Sequence, residues 1–257
     1  MPRRTPTETD GDFTGCGPAT SRRRGKSAMT GRLSLTFDNG PTPGITERIL
    51  EVLARHGLRV TFFVIGEKLR DKAAAGLLAE MAAAGHWIGN HTLTHSVALG
   101  DRPDAAYART EIEEAQALVG TWPGQEKLFR PYGKDGLLGP HLFSAQALAH
   151  LQSHRYTSVI WNMVPGDWMI PDGWDDRCID DLNRLDDSEW AVVVLHDIPN
   201  ACLAGLDRFL TRIEDGGFSI EQQFPDNVVI TRNGRFVTSP APFVADALPI
   251  QGPAPRS

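Results

Sequence analysis

Residues 33–65 run LSLTFDNGPTPGITERILEVLARHGLRVTFFVI, and this stretch decides the fold. The apolar run at 33–37 predicts one strand, and the apolar run at 60–65 predicts another. Between the two runs, apolar residues recur at helical spacing over 45–53, and Gly57 then ends the helix. Two strands joined through one helix form a parallel pair with a right-handed crossover. The stretch therefore predicts an α/β fold.

The same alternation of strand and helix continues through the rest of the chain. We predict further helices at 68–84, 104–119, 143–154, 177–185 and 206–213, and further strands at 128–130, 157–163 and 190–195. A parallel sheet of roughly six to eight such units commonly closes into a barrel ringed by helices. Asn233 and Gly234 separate two short strand-like segments, which predicts a β-hairpin appended after the barrel.

The composition is that of one globular domain. The chain has 257 residues, of which 41% are hydrophobic and 23% are charged, and barrels of about 200 to 250 residues commonly form a single domain. No apolar stretch reaches the roughly 18 residues that cross a bilayer, so we expect no membrane partner. The formal net charge is −6. An acidic chain argues against nucleic acid as a partner, because phosphate binding requires clustered Lys and Arg.

We predict three regions along the chain. Residues 1–30 form a basic leader that we expect to be disordered, and Met29 near its end is an alternative start of translation. Residues 31–238 form the barrel domain, and residues 239–257 form a Pro-rich tail that we also expect to be disordered. No basic segment is followed by the apolar run of a signal peptide, and only three cysteines occur. We therefore expect a cytoplasmic protein, and its oligomeric state stays open.

Ionisable side chains gather after the ends of the predicted strands. In barrels of this kind, the loops that follow the carboxyl ends of the strands carry the reactive groups. In chain order these loops carry Asp38 and Asn39, His91 and His95, Arg130 and Tyr132, Asp167 and Trp168, and His196 and Asp197. The consistent choice of one end of the strands predicts a functional site there.

Each of these residues taken alone also has an ordinary structural explanation. His91 and His95 are four residues apart, a spacing that lets two imidazoles share a metal, but an isolated pair is more often a surface feature. His196 ends an apolar run and is on its own more simply a core histidine. Arg130 and Asp167 would by default form an ion pair. Only the whole set in its order favours catalysis.

Five short motifs in this order resemble those of the polysaccharide deacetylases, carbohydrate esterase family four, which includes the nodulation chitooligosaccharide deacetylases. The motifs are TFDNGP at 36–41, HTLTH at 91–95, RPYG at 130–133, DW at 167–168 and LH at 195–196. The resemblance spans about residues 32–218. It implies a single-domain α/β fold, a distorted (β/α) barrel of the polysaccharide deacetylase or NodB homology type.

The resemblance also implies a base and a metal. In the family the first Asp of the first motif is the general base, which places that role on Asp38, and the Arg of the third motif orients it, which points to Arg130. The next residue of the first motif and the two histidines of the second hold a divalent metal, usually zinc. Here these ligands would be Asn39, His91 and His95. The metal would polarise the amide carbonyl and lower the pKa of a bound water toward about 7.

The remaining motifs imply an acid and an acyl pocket. The resemblance makes His196 the general acid, tuned by Asp167, and an imidazole suits this role because the leaving amine must depart protonated near neutral pH. The backbone N–H beside Tyr132 would help to hold the oxyanion. Trp168 and Leu195 would line the pocket for the acetyl group.

Two positions depart from the family pattern. Asn39 stands where the family has a metal-binding Asp, and an amide oxygen ligates a cation without neutralising its charge, so we expect weaker metal binding. A decayed site, and an Asn39 that becomes Asp by deamidation before Gly40, are the alternatives. The third motif is one residue shorter than usual. A one-residue shift at a strand end turns a side chain to the other face, which bears on Arg130.

We expect a metal-dependent hydrolase that removes an acetyl or small acyl group from an N-acylated saccharide or a related amide. This reaction breaks a carbon–nitrogen bond that is not a peptide bond. Soluble oligosaccharides or small molecules are the expected substrates. Two alternatives stay open on the same barrel: a metal-independent hydrolase of a cyclic amide such as allantoin, and a non-catalytic saccharide-binding protein.

Overall fold

A computed structural model describes residues 31–186 and 189–245 of the chain. The strands in these ranges are β1 (Arg32–Asp38), β2 (Thr61–Val64), β3 (Trp87–Asn90), β4 (Leu128–Phe129), β5 (Thr157–Val159), β6 (Trp190–His196), β7 (Ser219–Ile220), β8 (Val229–Arg232) and β9 (Arg235–Phe236). The helices are α1 (Thr46–Arg55), α2 (Lys72–Ala83), α3 (Ala105–Arg109), α4 (Ala115–Val119), α5 (Ala145–Ser153), α6 (Trp174–Leu182) and α7 (Leu203–Asp215). Helices α3 and α4 are joined by a π-helical turn at Thr110–Glu114. Short 3-10 turns lie at Gly66–Arg70, Lys134–Gly136, Pro140–Leu142, Asp226–Val228 and Ala241–Phe243.

The sheet has nine strands. Six of them are parallel, in the order β6-β1-β2-β3-β4-β5, β7 pairs in parallel with the start of β1, and β8 and β9 continue the sheet beyond β5 with antiparallel pairing. The two outer strands of this set meet where Met163, just beyond β5, pairs with Val193 of β6. The backbone N–H of Val194 donates to the Met163 carbonyl at 3.0 Å, and that of Met163 donates to the Val192 carbonyl at 3.2 Å. We call this narrow closure the seam. The fold is therefore the distorted α/β barrel that the sequence predicts.

Helices cover the outer face of the strands. Along β1, the buried side chains of Leu33, Leu35 and Phe37 pack in one cluster with apolar residues of α1, α6 and α7. Thr36 and Asp38 point to the opposite face, because successive side chains of a strand alternate. The end of β1 thus places polar groups inside the barrel. Among the described residues, no helix is long and apolar enough to cross a bilayer.

The predicted alternation of strands and helices is confirmed, with local differences. Strands β3 and β7 were not among the predicted strands, and the helix predicted at 68–84 is divided at Asp71 into a 3-10 turn and α2. The strand predicted at 157–163 is regular only in β5, because a register shift between Ser158 and Val159 accompanies its antiparallel pairing with β8. The helix predicted at 104–119 contains the π-helical turn. The predicted hairpin is present as β8 and β9, and Asn233 and Gly234 at its tip both have positive φ angles, 49° and 79°.

The predicted end regions lie mostly outside the described residues. This holds for the whole leader at 1–30 and for residues 246–257 of the predicted tail. The first part of that tail packs on the barrel, since Phe143 forms a parallel bridge with Val244, which is 7% exposed. The packed unit therefore includes residues up to Val244.

Candidate active site

A cavity of about 190 Å³ opens at the carboxyl ends of the parallel strands. Seven predicted site residues line it: Asp38, Asn39, His91, His95, Tyr132, Trp168 and His196. The remaining wall consists of Gly133, Asp135, Gly136, Trp161, Val164, Val194 and Ile198. Since the carboxyl ends of all parallel strands lie on one side of the sheet, motifs far apart in sequence come together there.

A buried ion pair forms one side of the site. The Arg130 guanidinium donates to Asp38 Oδ1 at 2.8 Å and to Thr36 Oγ1 at 2.7 Å. Arg130 is fully buried, and its charge would be costly there without this carboxylate. The shorter third motif therefore still places the Arg130 side chain against Asp38. The default ion pair between Arg130 and Asp167 does not form; Asp167 pairs with a histidine instead.

Two histidines and an amide oxygen offer neutral ligand atoms beside Asp38. His91 Nδ1 lies 2.9 Å from the Arg130 carbonyl, and because a carbonyl only accepts, this nitrogen carries the proton and Nε2 keeps its lone pair. The rings of His91 and His95 lie 4.7 Å apart, centroid to centroid. Burial lowers the pKa of each ring to about 3, so both are neutral near pH 7. Asn39 Oδ1 is buried and, among the described residues, has no hydrogen-bond partner.

These three residues fit a divalent cation. Zinc accepts neutral imidazole nitrogens together with an oxygen ligand. Burying the unpartnered oxygen of Asn39 costs free energy. A cation bound to this oxygen would offset that cost. Asp38 Oδ2 lies 3.6 Å from His91 Nε2, so the carboxylate is close to one of these ligand atoms.

The loop that carries both histidines is strained and firmly held. Thr92, a β-branched residue, has a φ of 65°, and His95 has a φ of 52°. Glu111, buried in the π-helical turn, accepts from the backbone N–H groups of Leu93 and Thr94 at 3.1 and 3.0 Å. Asn90 Oδ1 accepts from the Thr92 backbone N–H at 2.9 Å. These bonds fix a backbone conformation that the loop would otherwise leave.

A second pair faces the cavity from the end of β6. The fully buried Asp167 accepts from the backbone N–H of His196 at 2.8 Å, and its other oxygen lies 2.8 Å from His196 Nδ1. Nδ1 therefore carries a proton toward the carboxylate, and Nε2 points away from it. The Trp168 ring meets the His196 ring edge-on at 4.4 Å between centroids. Burial and two hydrogen bonds thus fix the orientation of this imidazole.

Of the predicted pocket residues, Tyr132 and Trp168 line the cavity and Leu195 does not. The Tyr132 ring lies 4.1 Å from the His95 ring, centroid to centroid. Leu195 is fully buried in the outer cluster of apolar residues between strands and helices, so the structure does not bring it to the cavity. The alternation of β6 explains this, because Val194 and His196 share the inner face. Val194 and Ile198 supply the apolar surface that Leu195 was predicted to supply.

Three supporting residues had no predicted role. Thr36 Oγ1 accepts a hydrogen bond from Arg130, and its inward position follows from the alternation of side chains along β1. Glu111 holds the histidine loop, and a carboxylate on the apolar face of a predicted helix was the available signal. Asp197 is fully buried behind the first motif, where Thr46 Oγ1 donates to its Oδ2 at 2.7 Å and burial raises its pKa to about 7. A Cβ on Gly40 would lie 2.2 Å from that same oxygen, so only glycine fits.

A carboxylate, an imidazole and three neutral ligand atoms in one cavity of a (β/α) barrel are typical of hydrolytic enzymes. Comparisons with known proteins agree. Residues 26–159 match the family model described as polysaccharide deacetylase. The chitooligosaccharide deacetylase of Sinorhizobium fredii is 30% identical over 207 residues, which cover 75% of this chain and 90% of that protein. The corresponding protein of Rhizobium leguminosarum bv. phaseoli is 36% identical over 173 residues, 65% of this chain and 69% of that protein.

A solved structure extends the similarity to three dimensions. The family 4 carbohydrate esterase from Streptomyces lividans, in complex with acetate, has a TM-score of 0.62 at 27% identity, covering 80% of this chain and 99% of that one. The chain belongs to the polysaccharide deacetylase family. It is a deacetylase-like hydrolase of carbon–nitrogen bonds other than peptide bonds.

Proposed function

We propose that the protein is a zinc-dependent hydrolase that removes an acetyl or similarly small acyl group from the nitrogen of a saccharide. The observation that carries this proposal is the opposition of Asp38 and His196, which are register partners at the ends of β1 and β6 and line one cavity. A binding protein gains little from an acid and a base placed together. The names of the two rhizobial relatives, chitooligosaccharide deacetylases, support an N-acetylated saccharide as substrate.

The volume of the cavity supports a small acyl group. About 190 Å³ is less than the roughly 300 to 1,000 Å³ typical of pockets that enclose a whole drug-sized ligand. An acetyl group and part of one sugar ring fit such a space, and the rest of an oligosaccharide would lie outside it. The rings of Trp161 and Trp168 form apolar walls for the methyl group or a sugar face.

In this proposal Asn39, His91 and His95 hold the zinc ion. When bound there, zinc polarises the amide carbonyl and lowers the pKa of water toward about 7. The neutral state of both imidazoles suits them as ligands at neutral pH. The buried, unpartnered Oδ1 of Asn39 supports its inclusion in the set.

The proton transfers are assigned to the two pairs. Asp38 accepts the proton of the attacking water through Oδ2, because Arg130 occupies Oδ1. Asp167, which accepts from Nδ1, stabilises the imidazolium form of His196, and this form donates its Nε2 proton to the departing amine and is left as a neutral imidazole. The backbone N–H beside Tyr132 is assigned to the developing oxyanion because Tyr132 lines the cavity, and a donor of this kind typically lowers the barrier by about 3 to 4 kcal/mol.

The test is acetate release from N-acetylglucosamine oligomers by chelator-treated protein, with and without added zinc. We expect activity only with zinc. Asp38→Asn and His196→Ala should each lower kcat by about 10²- to 10⁴-fold while oligomer binding is retained. Asp135→Asn, which removes a carboxylate from the wall of the same cavity, is the matched control and should keep kcat within a few-fold.

Each of the other outcomes would contradict one part of the proposal. Hydrolysis that persists without metal would contradict the zinc role and favour the metal-independent hydrolysis of cyclic amides. Binding of oligomers without any acetate release, with zinc present, would leave a saccharide-binding protein. Equal losses in Asp135→Asn and Asp38→Asn would contradict the assignment of the base.

A further inference from the structure

A second set of metal-ligating side chains lies on the outside of the barrel. His150 belongs to α5, and His154 follows four residues later at the end of that helix. Glu113 comes from the π-helical turn. One ligand atom from each of the three lies within 4.8 Å of the others, and none of the three lines the catalytic cavity. We call Glu113, His150 and His154 the helix-side cluster.

We propose that the helix-side cluster binds a divalent transition-metal ion such as zinc, at a site separate from the catalytic cavity. The spacing of the two histidines places both rings on one side of α5, where their centroids are 4.0 Å apart with an interplanar angle of 21°. His150 Nε2 lies 3.6 Å from Glu113 Oε1. Two ligands at about 2.0 to 2.2 Å from a tetrahedral zinc ion are about 3.4 Å apart, so this separation nearly matches a shared ion.

The hydrogen bonds of the cluster leave ligand lone pairs free. His154 Nδ1 lies 3.0 Å from the His150 carbonyl, which only accepts, so this nitrogen carries the proton and Nε2 is available. His150 Nε2 is buried and, within the described part of the chain, has no hydrogen-bond partner. A ring nitrogen that faces a carboxylate without bonding to it is satisfied by a cation between them. A ligating histidine that donates its other ring N–H to a backbone carbonyl is also the usual arrangement at metal sites.

The charges around the helix-side cluster favour a transition-metal ion over calcium or magnesium. Arg109 and Lys127 both act on His150 by charge, although the Lys127 ammonium is held by the His154 carbonyl at 3.2 Å and by the face of Tyr156. One carboxylate against two nearby cations is a poor site for calcium or magnesium, which need several oxygen ligands. Two imidazoles suit zinc, nickel or copper.

The position of the cluster links it to the active site. The π-helical turn presents Glu113 to the histidines of α5 and, two residues earlier, presents Glu111 to the loop between His91 and His95. An ion on the helix-side cluster would brace α5 against this turn. We therefore infer a structural role for the ion, with a rise in the thermal midpoint on binding.

The experiment is a calorimetric titration of chelator-treated full-length protein with zinc chloride, comparing the wild type with His154→Ala. His56→Ala, which removes a histidine outside both sites, is the matched control. We expect His154→Ala to lose one equivalent of bound zinc per chain, and His56→Ala to lose none. Equal stoichiometry in the wild type and His154→Ala would overturn the proposal.

A second comparison separates this site from the catalytic one. His95→Ala should retain one zinc equivalent, and the double variant His95→Ala/His154→Ala should bind none. If the catalytic site fails to bind metal, the wild type and His95→Ala both bind one equivalent, and the loss in His154→Ala still reports the helix-side cluster. Retained binding by the double variant would contradict the proposal. Anomalous scattering at the zinc edge from wild-type crystals locates the ion directly, and density absent from the cluster would also overturn it.

Discussion

In the proposed zinc site, Asn39 is the residue that most affects the affinity for the metal. Its buried oxygen has no hydrogen-bond partner among the described residues and carries no charge, so the proposed set of two imidazoles and an amide would leave the full charge of the ion uncompensated. Its positive φ of 73° is one that Asn and Asp both tolerate better than most residues. Position 39 therefore accepts a carboxylate without a change of backbone.

Asn39→Asp should tighten zinc binding at the catalytic site. A charged oxygen attracts the cation more strongly than an amide does, and we expect the dissociation constant to fall by about 10- to 100-fold. Competition titration with a chelator of known affinity measures the change, and His154→Ala serves as the background so that one site is observed. An unchanged dissociation constant would show that position 39 is not a ligand.

Arg130→Met should destabilise the protein strongly. It removes the partner of a carboxylate that is 3% exposed, and breaking a buried ion pair from one side costs about 3 to 5 kcal/mol. Urea denaturation of the two proteins gives the difference in the free energy of unfolding. Thr36→Val, which removes the second acceptor but keeps the ion pair, is the control and should cost about 1 kcal/mol.

Among the structural elements, the π-helical turn was not predicted from the sequence, and it holds the loop that carries His91 and His95. The sequence at 104–119 has the apolar spacing of one continuous helix, and that pattern does not reveal an inserted π turn. The turn carries Glu111 toward the histidine loop, and its Ile112 carbonyl accepts from Asn90 at 2.9 Å. Helix and loop therefore hold each other.

Glu111→Ala should loosen the histidine loop without unfolding the barrel. It removes the acceptor of three donors in Leu93 and Thr94, while the strain at Thr92 remains. We expect zinc affinity at the catalytic site to fall by about 10- to 100-fold and kcat to fall with it. Glu114→Ala, an exposed position of the same turn, is the control, and equal effects in both variants would argue against the role of Glu111.

The junction between α2 and β3 should make the fold sensitive to acid. His86 Nδ1 accepts from the backbone N–H of Val60 at 3.2 Å, which requires a neutral ring, and burial lowers the pKa of His86 to about 4. This value lies below the roughly 6.5 of an unfolded histidine. The folded state binds fewer protons in between, so stability present above pH 6.5 is lost as the pH falls toward 4.

His86→Asn should reduce this loss. The Asn oxygen can accept from Val60 but does not titrate, so the midpoint of thermal unfolding should fall less steeply between about pH 6.5 and 4 than in the wild type. Scanning calorimetry at several pH values measures both slopes, with the difference at pH 8 as the reference. Parallel slopes would mean that His86 does not control the acid sensitivity.

At the scale of the whole molecule, the sequence predicted what periodicity and order can carry. Alternating strands and helices predicted the barrel, and the common placement of motifs after strand ends predicted seven of the residues around the cavity. It missed what depends on contacts between distant segments. The face of β6 on which Leu195 lies follows from strand register, and register is set by the assembled sheet.

The seam should be the first part of the barrel to open. Its bridge joins single residues, Met163 and Val193, and the Asp167 carboxylate ties the same two segments together through His196. Asp167→Ala should therefore speed hydrogen exchange at the amides of Met163, Val194 and His196, with little change in β2 and β3. Exchange measured by NMR or mass spectrometry tests this, and a uniform increase across all strands would contradict it.

Because the seam should open first, the parts of the molecule should lose their structure in a defined order on warming. Asp38, Asn39, His91 and His95 belong to segments joined by continuous strand pairing, whereas Asp167 reaches His196 from the far side of the closure. When the seam opens, His196 loses its contact with Asp167, while the cavity and the side chains of Asn39, His91 and His95 keep their places. If the proposed function holds, gentle heating would then leave a protein that still binds an N-acylated saccharide but no longer removes its acyl group. Binding without catalysis and binding with catalysis would then be two thermal states of one chain.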